Sequence, residues 1–227
     1  MKSERGMILV FASNNAHKLA EVRAMMPEGV EVLSLKEIGF EQEIDETGAT
    51  LEENSAIKAK AVAAFISSQP SEVSHQIDGV FADDTGLEID ALDGRPGVYT
   101  ARWYKQHTDR CADRIQTATL TDEREIFAAN RAKALRELKG KADRGCQFRT
   151  VITLLKPSAI SHQMSEIQVE GVVRGRIAES EYGEGGFGYD PIFIPEGYDK
   201  TFGELPAEVK NHISHRARAI EELVKVL

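Results

Sequence analysis

The run Met7-Ile8-Leu9-Val10-Phe11-Ala12 is apolar at every position, the pattern of a strand buried on both faces in a parallel sheet. A short polar loop follows. Leu19, Val22 and Met26 then recur at helical spacing up to Pro27, which ends the helix. Strand, loop and helix in that order open an α/β unit. Val30 to Leu35 predicts a second strand. Thr50 to Ser67, with Leu51, Ile57, Ala61, Ala64 and Phe65, predicts a helix, and Ser67 to Asp78 a surface loop. Val80-Phe81-Ala82 predicts a short strand that leads straight into Asp83-Asp84. The stretch Ala112 to Lys139 is charged and has a thin apolar stripe (Ile126, Leu135, Leu138), so one or two exposed helices are expected there. Phe148 to Leu155 and Glu166 to Ile177 alternate as strands with at least one face covered. Glu184 to Pro195 is a glycine-rich loop entering a short strand. Ser214 can N-cap a last helix whose Ala217, Ile220, Val224 and Leu227 form a core-facing stripe. A βαβ opening followed by antiparallel-looking strands predicts an α/β fold with a mixed sheet. No repeat or low-complexity linker divides the chain, so residues 1–227 are expected to form a single domain of two coupled lobes.

Composition narrows the function classes. The 227 residues are 41% hydrophobic and 29% charged, which excludes wholesale disorder and suits a chain with a real core. Apolar runs fall well short of the roughly 20 residues of a membrane span, and Met7 to Ala12 is too short for a signal-peptide core. Cys111 and Cys146 make neither a disulfide framework nor a zinc pattern. Two reduced thiols in a cytoplasmic protein are expected. With 28 Lys+Arg against 37 Asp+Glu, the formal charge is −9, which argues against a nucleic acid polymer as partner. A small anion at a local positive site remains open.

Five segments could carry chemistry. Ser13-Asn14-Asn15-Ala16-His17-Lys18 joins the first strand to the first helix, where free N–H groups and the dipole make an anion site. Equally, Asn15 or Ser13 can simply cap the helix while Lys18 is solvated. Asp83 and Asp84 follow a buried strand, where open α/β sheets place ligands. Adjacent carboxylates repel unless a divalent cation or a raised pKa relieves them, although an Asx turn before Gly86 would also place Asp there. Glu46-Thr47-Gly48 precedes the second helix, on which Asn54 and Lys58 stand one turn apart on the same face. That pair could grip a phosphate, or Lys58 could face solvent. Gly185-Gly186-Phe187-Gly188-Tyr189-Asp190 frees the backbone around one ring, which suits a stacked purine or a tight turn with a core Phe. Lys210, then His215 and Arg216 at a helix start, puts cations where the dipole opposes them. An anionic or carbonyl-rich ligand would explain that, and so would solvation. The remaining histidines show no metal-ligand spacing.

Taken together and in this order, these segments resemble the inosine triphosphate pyrophosphatase family. The likeness rests on Ser13-x-Asn15-x-x-Lys18, Glu46-Thr47-Gly48, Asn54-x-x-x-Lys58-Ala59 and Ala82-Asp83-Asp84-Thr85-Gly86-Leu87. It continues through Gly94 to Arg102, Gly185 to Phe193, Lys210 and Ser214-His215-Arg216, and so covers Met7 to Leu227. It implies an elongated mixed sheet between two α/β lobes with a central cleft, usually as a homodimer. The implied reaction is magnesium-dependent hydrolysis of ITP, dITP and XTP to the monophosphate and pyrophosphate. Residue by residue, the resemblance makes Ser13 to Lys18 the triphosphate cradle and Asp84 the general base and metal ligand for an activated water. Glu46 and Asp83 are further metal ligands, Asn54 and Lys58 support phosphate, and Thr85 contacts the nucleotide. Phe187, Gly188, Tyr189 and Asp190 form the base loop, with Lys210, His215 and Arg216 on the purine. Serine stands at 13 and threonine at 85 where the pattern more often has threonine and serine, a hydroxyl for a hydroxyl. The segment from about Tyr104 to Ala128 reads as an insertion. A Maf-like nucleotide pyrophosphatase and a catalytically silent nucleotide-binding module are the competing readings. The glycine-rich loop and Ser-His-Arg oppose the first, and the crowded acids oppose the second.

Overall fold

The computed structural model describes residues 6–70, 76–105, 120, 122–157 and 164–227. Among these residues seven strands and five α-helices follow in chain order: β1 (Met7–Phe11), α1 (Ala16–Met25), β2 (Val30–Leu33), α2 (Leu51–Ser67), β3 (Gly79–Ile89), β4 (Pro96–Gly97), α3 (Glu123–Glu137), β5 (Gly145–Pro157), β6 (Met164–Ile177), β7 (Phe193–Pro195), α4 (Ala207–Ile213) and α5 (His215–Lys225). The strand order is β2-β1-β3-β5-β6-β7, with β4 on β3. β1 runs parallel to β2 (Val10 opposite Leu33) and to β3 (Phe11 opposite Phe81). The β3–β4 and β6–β7 pairs are antiparallel. The sheet is therefore mixed, as the order of patterns predicts. Among the described residues no helix is long and apolar enough to cross a membrane.

The chain forms two compact units. The first comprises Met1–Thr85, Thr150–Val172 and Asn211–Leu227, and the second Gly86–Arg149 and Val173–Lys210. In the first unit, strand alternation sorts side chains onto two faces. Leu9, Phe11 and Phe81 pack with Val22 of α1 and Ala219, Ile220 and Leu223 of α5. Val10, Ala12, Val80 and Ala82 pack with Ala59, Val62, Ala63 and Ile66 of α2. Phe11 and Phe81 stack at 4.9 Å between ring centroids, and truncating such a buried ring costs about 3–5 kcal/mol. Thr50 caps α2 by accepting from the Glu53 N–H, and Ser214 caps α5 by accepting from Ala217. α5 lies directly against β6 at Gly171, where a Cβ would overlap the His215 carbonyl oxygen and the Ala219 backbone.

In the second unit, Phe193 packs against Phe148 at 4.8 Å and Phe202 at 5.1 Å. α3 departs from the expected exposed helix. Its buried residues are Asn130, Lys133 and Ala134, with Leu138 at its C-cap fully buried, while Ile126 and Leu135 are half-buried. Asn130 donates to Ala101 O (3.0 Å) and accepts from the Tyr104 N–H (2.8 Å), and Lys133 donates to Trp103 O (3.0 Å). Asn130 and Lys133 on that face satisfy the backbone of Thr100–Lys105, so apolar periodicity reports only the part carried by Ala134 and Leu138. The expected insertion from about Tyr104 to Ala128 lies mostly outside the described residues.

Strand β3 also corrects an expectation. It extends to Ile89, so Asp83, Asp84 and Thr85 lie inside a strand and not in an Asx turn at its end.

Candidate active site

The loop after β1 is organised by its own short side chains. Ser13 Oγ accepts from the Asn15 N–H at 3.2 Å, and Asn15 Oδ1 caps α1 by accepting from the Lys18 N–H at 3.0 Å. Asn14, Ala16 and His17 are exposed, whereas Ser13, Asn15 and Lys18 are half-buried. Asn15 thus fills the ordinary role of a cap. Lys18 does not fill the ordinary role of a solvated lysine: its ammonium reaches Asp83 Oδ1 at 3.0 Å. Burial pushes the Lys18 amine down, and Asp83 offsets part of that.

Successive side chains of β3 point to opposite faces, and this separates the two acids. Phe81, Asp83 and Thr85 share the face covered by α1 and α5. Asp83 meets Lys18 and, at Oδ2, Arg216 Nε at 3.3 Å. Arg216 Nη1 also donates to Glu21 of α1. Burial alone would raise the Asp83 carboxyl, but Lys18 and Arg216 more than compensate and hold it well below the usual carboxylate range. Thr85 on the same face hydrogen-bonds Thr150 of β5 at 2.8 Å, and Thr150 meets His215 Nδ1 at 2.6 Å.

Val80, Ala82 and Asp84 share the α2 face. The Lys58 ammonium lies 3.2 Å from Asp84 Oδ1 and 2.8 Å from Glu46 Oε1. Asp84 is 8% exposed, and its Oδ2 is buried without a hydrogen-bond partner. Burial pushes the Asp84 carboxyl up; Lys58 and Lys18 oppose the shift, and Glu46 and Asp83 support it. Burial lowers the Lys58 amine, but Asp84, Asp83 and Glu46 outweigh it and raise the group overall. Asn54 Oδ1 accepts from the Gly48 N–H at 2.8 Å, while its Nδ2 is buried and unpartnered. A Cβ at Gly48 would lie 2.7 Å from Asn54 Oδ1, so only glycine lets the Glu46 turn approach α2 this closely.

The second unit holds the other predicted group. Gly186 has φ +84°, and a Cβ there would overlap the Asp190 carboxylate. That carboxylate accepts from the Phe187 N–H through Oδ2, and from the Lys210 ammonium at 2.7 Å. Asp190 therefore shapes its own loop. Phe187 is half-buried, and its ring meets the edge of Phe127 at 4.5 Å; Gly188 and Tyr189 are buried. Tyr189 Oη donates to Thr100 O at 2.9 Å, and Arg131 Nη1 donates to Gly188 O at 2.8 Å.

The model of the Ham1 family matches residues 9–226. The chain belongs to the Ham1 family. It is 40% identical over 221 residues to a dITP/XTP pyrophosphatase of Flavobacterium johnsoniae, with 97% of this chain and 98% of the relative covered. It is 42% identical to a dITP/XTP pyrophosphatase of Bacillus subtilis, with 96% of each covered. The Staphylococcus aureus Ham1 protein superposes with a TM-score of 0.74 at 35% identity, covering 96% of this chain and 97% of that one.

Three features of this Ham1 chain escape sequence reasoning. Glu21 looks like an exposed helical acid but bonds Arg216. Thr150 stands between Arg149 and Val151 in β5, with Thr153 a second buried threonine nearby, so nothing in the pattern singles it out. Phe127 and Arg131 fall in a charged helix with no motif. Among the described residues, no group of three or more His, Cys, Asp or Glu gathers as a metal cluster, and strand alternation explains why Asp83 does not join Asp84 and Glu46.

Proposed function

We propose that this protein hydrolyses dITP, XTP and ITP to the nucleoside monophosphate and pyrophosphate. The observation that carries the reading is the Glu46–Lys58–Asp84 group with its buried, unpartnered Asp84 oxygen, in a chain related over its length to dITP/XTP pyrophosphatases.

Charge defines what the site still needs. Three buried or half-buried cations, Lys18, Lys58 and Arg216, face four carboxylates, Glu21, Glu46, Asp83 and Asp84. A triphosphate added to that balance is repelled unless a cation enters with it. The donor chemistry fits magnesium, a hard ion that takes carboxylate oxygens together with substrate phosphates. Glu46 and Asp84 are the residues that would hold it, because both already converge on the Lys58 ammonium. Magnesium, when bound, supplies neutralisation of the triphosphate charge. Asp83, with both oxygens engaged by cations, instead fixes Lys18 and Arg216.

The chain's own groups do the rest. Ser13 to Lys18, with Asn54 and Lys58, bind and orient phosphate. Asp84 Oδ2, made more basic by burial, accepts the proton of the attacking water as the water oxygen bonds phosphorus, the phosphoanhydride P–O bond between the α and β phosphates breaks, and pyrophosphate leaves. The purine is assigned to Phe187 for stacking and to His215 for hydrogen bonding, with Thr85 at the nucleotide and Lys210 with Asp190 holding the loop. A donor facing the 6-oxo group of hypoxanthine or xanthine leaves adenine unpaired, a rejection that reaches roughly 10⁴–10⁵ in built sites. A homodimer and a cytoplasmic location belong to the same reading. The test is pyrophosphate release from a panel of triphosphates with and without magnesium. Turnover of dITP, XTP and ITP with little from ATP or GTP is expected, and equal turnover of all purine triphosphates would sink the proposal.

A further inference from the structure

The Thr85, Thr150 and His215 side chains form one hydrogen-bonded series, with separations of 2.8 and 2.6 Å. Thr150 is completely buried and His215 is 7% exposed. Packing at position 150 would be met equally by valine, and a buried hydroxyl is costly unless it is used. Each threonine hydroxyl carries a single proton, so the series admits two consistent orders. In the first, Thr85 donates to Thr150 and Thr150 donates to His215 Nδ1, which leaves the imidazole proton on Nε2. In the second, Nδ1–H donates to Thr150 and Thr150 donates to Thr85, which leaves Nε2 an acceptor. Whichever order holds sets the tautomer of the His215 ring, and with it whether Nε2 donates or accepts.

We propose that Thr150 is a specificity-determining positioning residue: it donates to His215 Nδ1 and so makes Nε2 a hydrogen-bond donor. An Nε2–H complements the lone pairs of a 6-oxo purine and opposes the hydrogens of a 6-amino purine. The other tautomer reverses that preference. The backbone holds the ring at this place, since the close approach at Gly171 and the Ser214 cap fix where His215 starts its helix. This inference rests on the reading of His215 as the residue that meets the purine.

The test combines the imidazole ¹⁵N spectrum of the full-length protein with kcat and KM for ITP and ATP. The wild type is expected to show the proton on Nε2. Thr150→Val is expected to lose that signature and to lower the ITP-over-ATP ratio of kcat/KM roughly tenfold, the worth of one hydrogen bond. The loss should fall on KM for ITP and not on kcat, and Thr150→Ser should restore both readouts. A wild-type proton on Nδ1, or a valine variant with unchanged spectrum and ratio, overturns the proposal. If Thr150→Val does not fold, Thr150→Ala removes the same hydroxyl and is read by the same two measurements. His215→Ala separates the two levels. A collapse of discrimination in His215→Ala without any in Thr150→Val overturns the relay and leaves the purine reading standing. Unchanged discrimination in His215→Ala overturns the purine reading, and the relay with it.

Discussion

Asp83→Asn tests the division of labour between the two acids. Asp83 is 1% exposed and takes Lys18 on one oxygen and Arg216 on the other. The amide keeps the shape and removes the charge, leaving two cations around a neutral group. Breaking a buried pair by removing one partner costs about 3–5 kcal/mol, against about 0–1 for an exposed pair. Arg216 retains Glu21, so most of the loss falls on Lys18 and the lower end, about 3 kcal/mol, is expected. For a chain of this size that corresponds to a fall in melting temperature on the order of 10 °C. The assay is calorimetric melting in metal-free buffer, with Lys18→Met/Asp83→Asn alongside. The double variant should recover part of the loss, because the lysine no longer lacks its counter-ion. If Asp83 were a magnesium ligand, Asp83→Asn would behave oppositely. A melting temperature within a degree or two of wild type, with the magnesium requirement for turnover shifted strongly upward, would refute the assignment and return Asp83 to the metal.

Asp84→Asn should lower turnover of ITP at least a hundredfold, in the range of general-base losses, while calorimetry still detects ITP binding; retention of more than a few per cent of activity points to another base. Gly48→Ala places a methyl 2.7 Å from both Asn54 Oδ1 and Glu53 Cβ, so the Glu46 turn must move off α2. Urea unfolding should show a loss of about 1–3 kcal/mol, and activity should fall with it. Glu37 is pulled down to about 2, first by the Ser34 hydroxyl, next by the Ser34 N–H and then by Arg23. Because the folded value lies below the ordinary 4.5, its contribution to stability is complete above that pH and is lost as pH falls towards 2. An NMR titration should place the Glu37 midpoint near 2, and Ser34→Ala should move it upward; an unmoved midpoint would exclude the hydroxyl as the main cause.

How far the site was legible depends on the kind of information each residue carries. Met7 to Phe11, Leu51 to Ser67 and the α5 stripe could be read because their pattern of apolar positions is itself the cause of their burial. The chemistry of Lys58 needed more: its i, i+4 spacing from Asn54 gives a shared face, but nothing local says that Asp84, 26 positions away, lies on that face. Strand alternation could have said so. Val80, Ala82 and Asp84 have one parity and Phe81, Asp83 and Thr85 the other, provided the strand continues past Ala82. With β3 ending at Ala82 that inference is lost, and the two acids cannot be told apart by face. Continuation was hidden because Asp83 and Asp84 are poor strand formers by composition, and they are held in the strand by partners on both faces: Lys18 and Arg216 on one, Lys58 on the other. α3 failed for the converse reason. Its buried Asn130 and Lys133 are there to satisfy backbone groups of Thr100–Lys105, and a polar contact leaves no apolar period. Legibility therefore runs with the hydrophobic effect, which is written locally and periodically, and fails where burial is driven by specific pairing between residues distant in the chain.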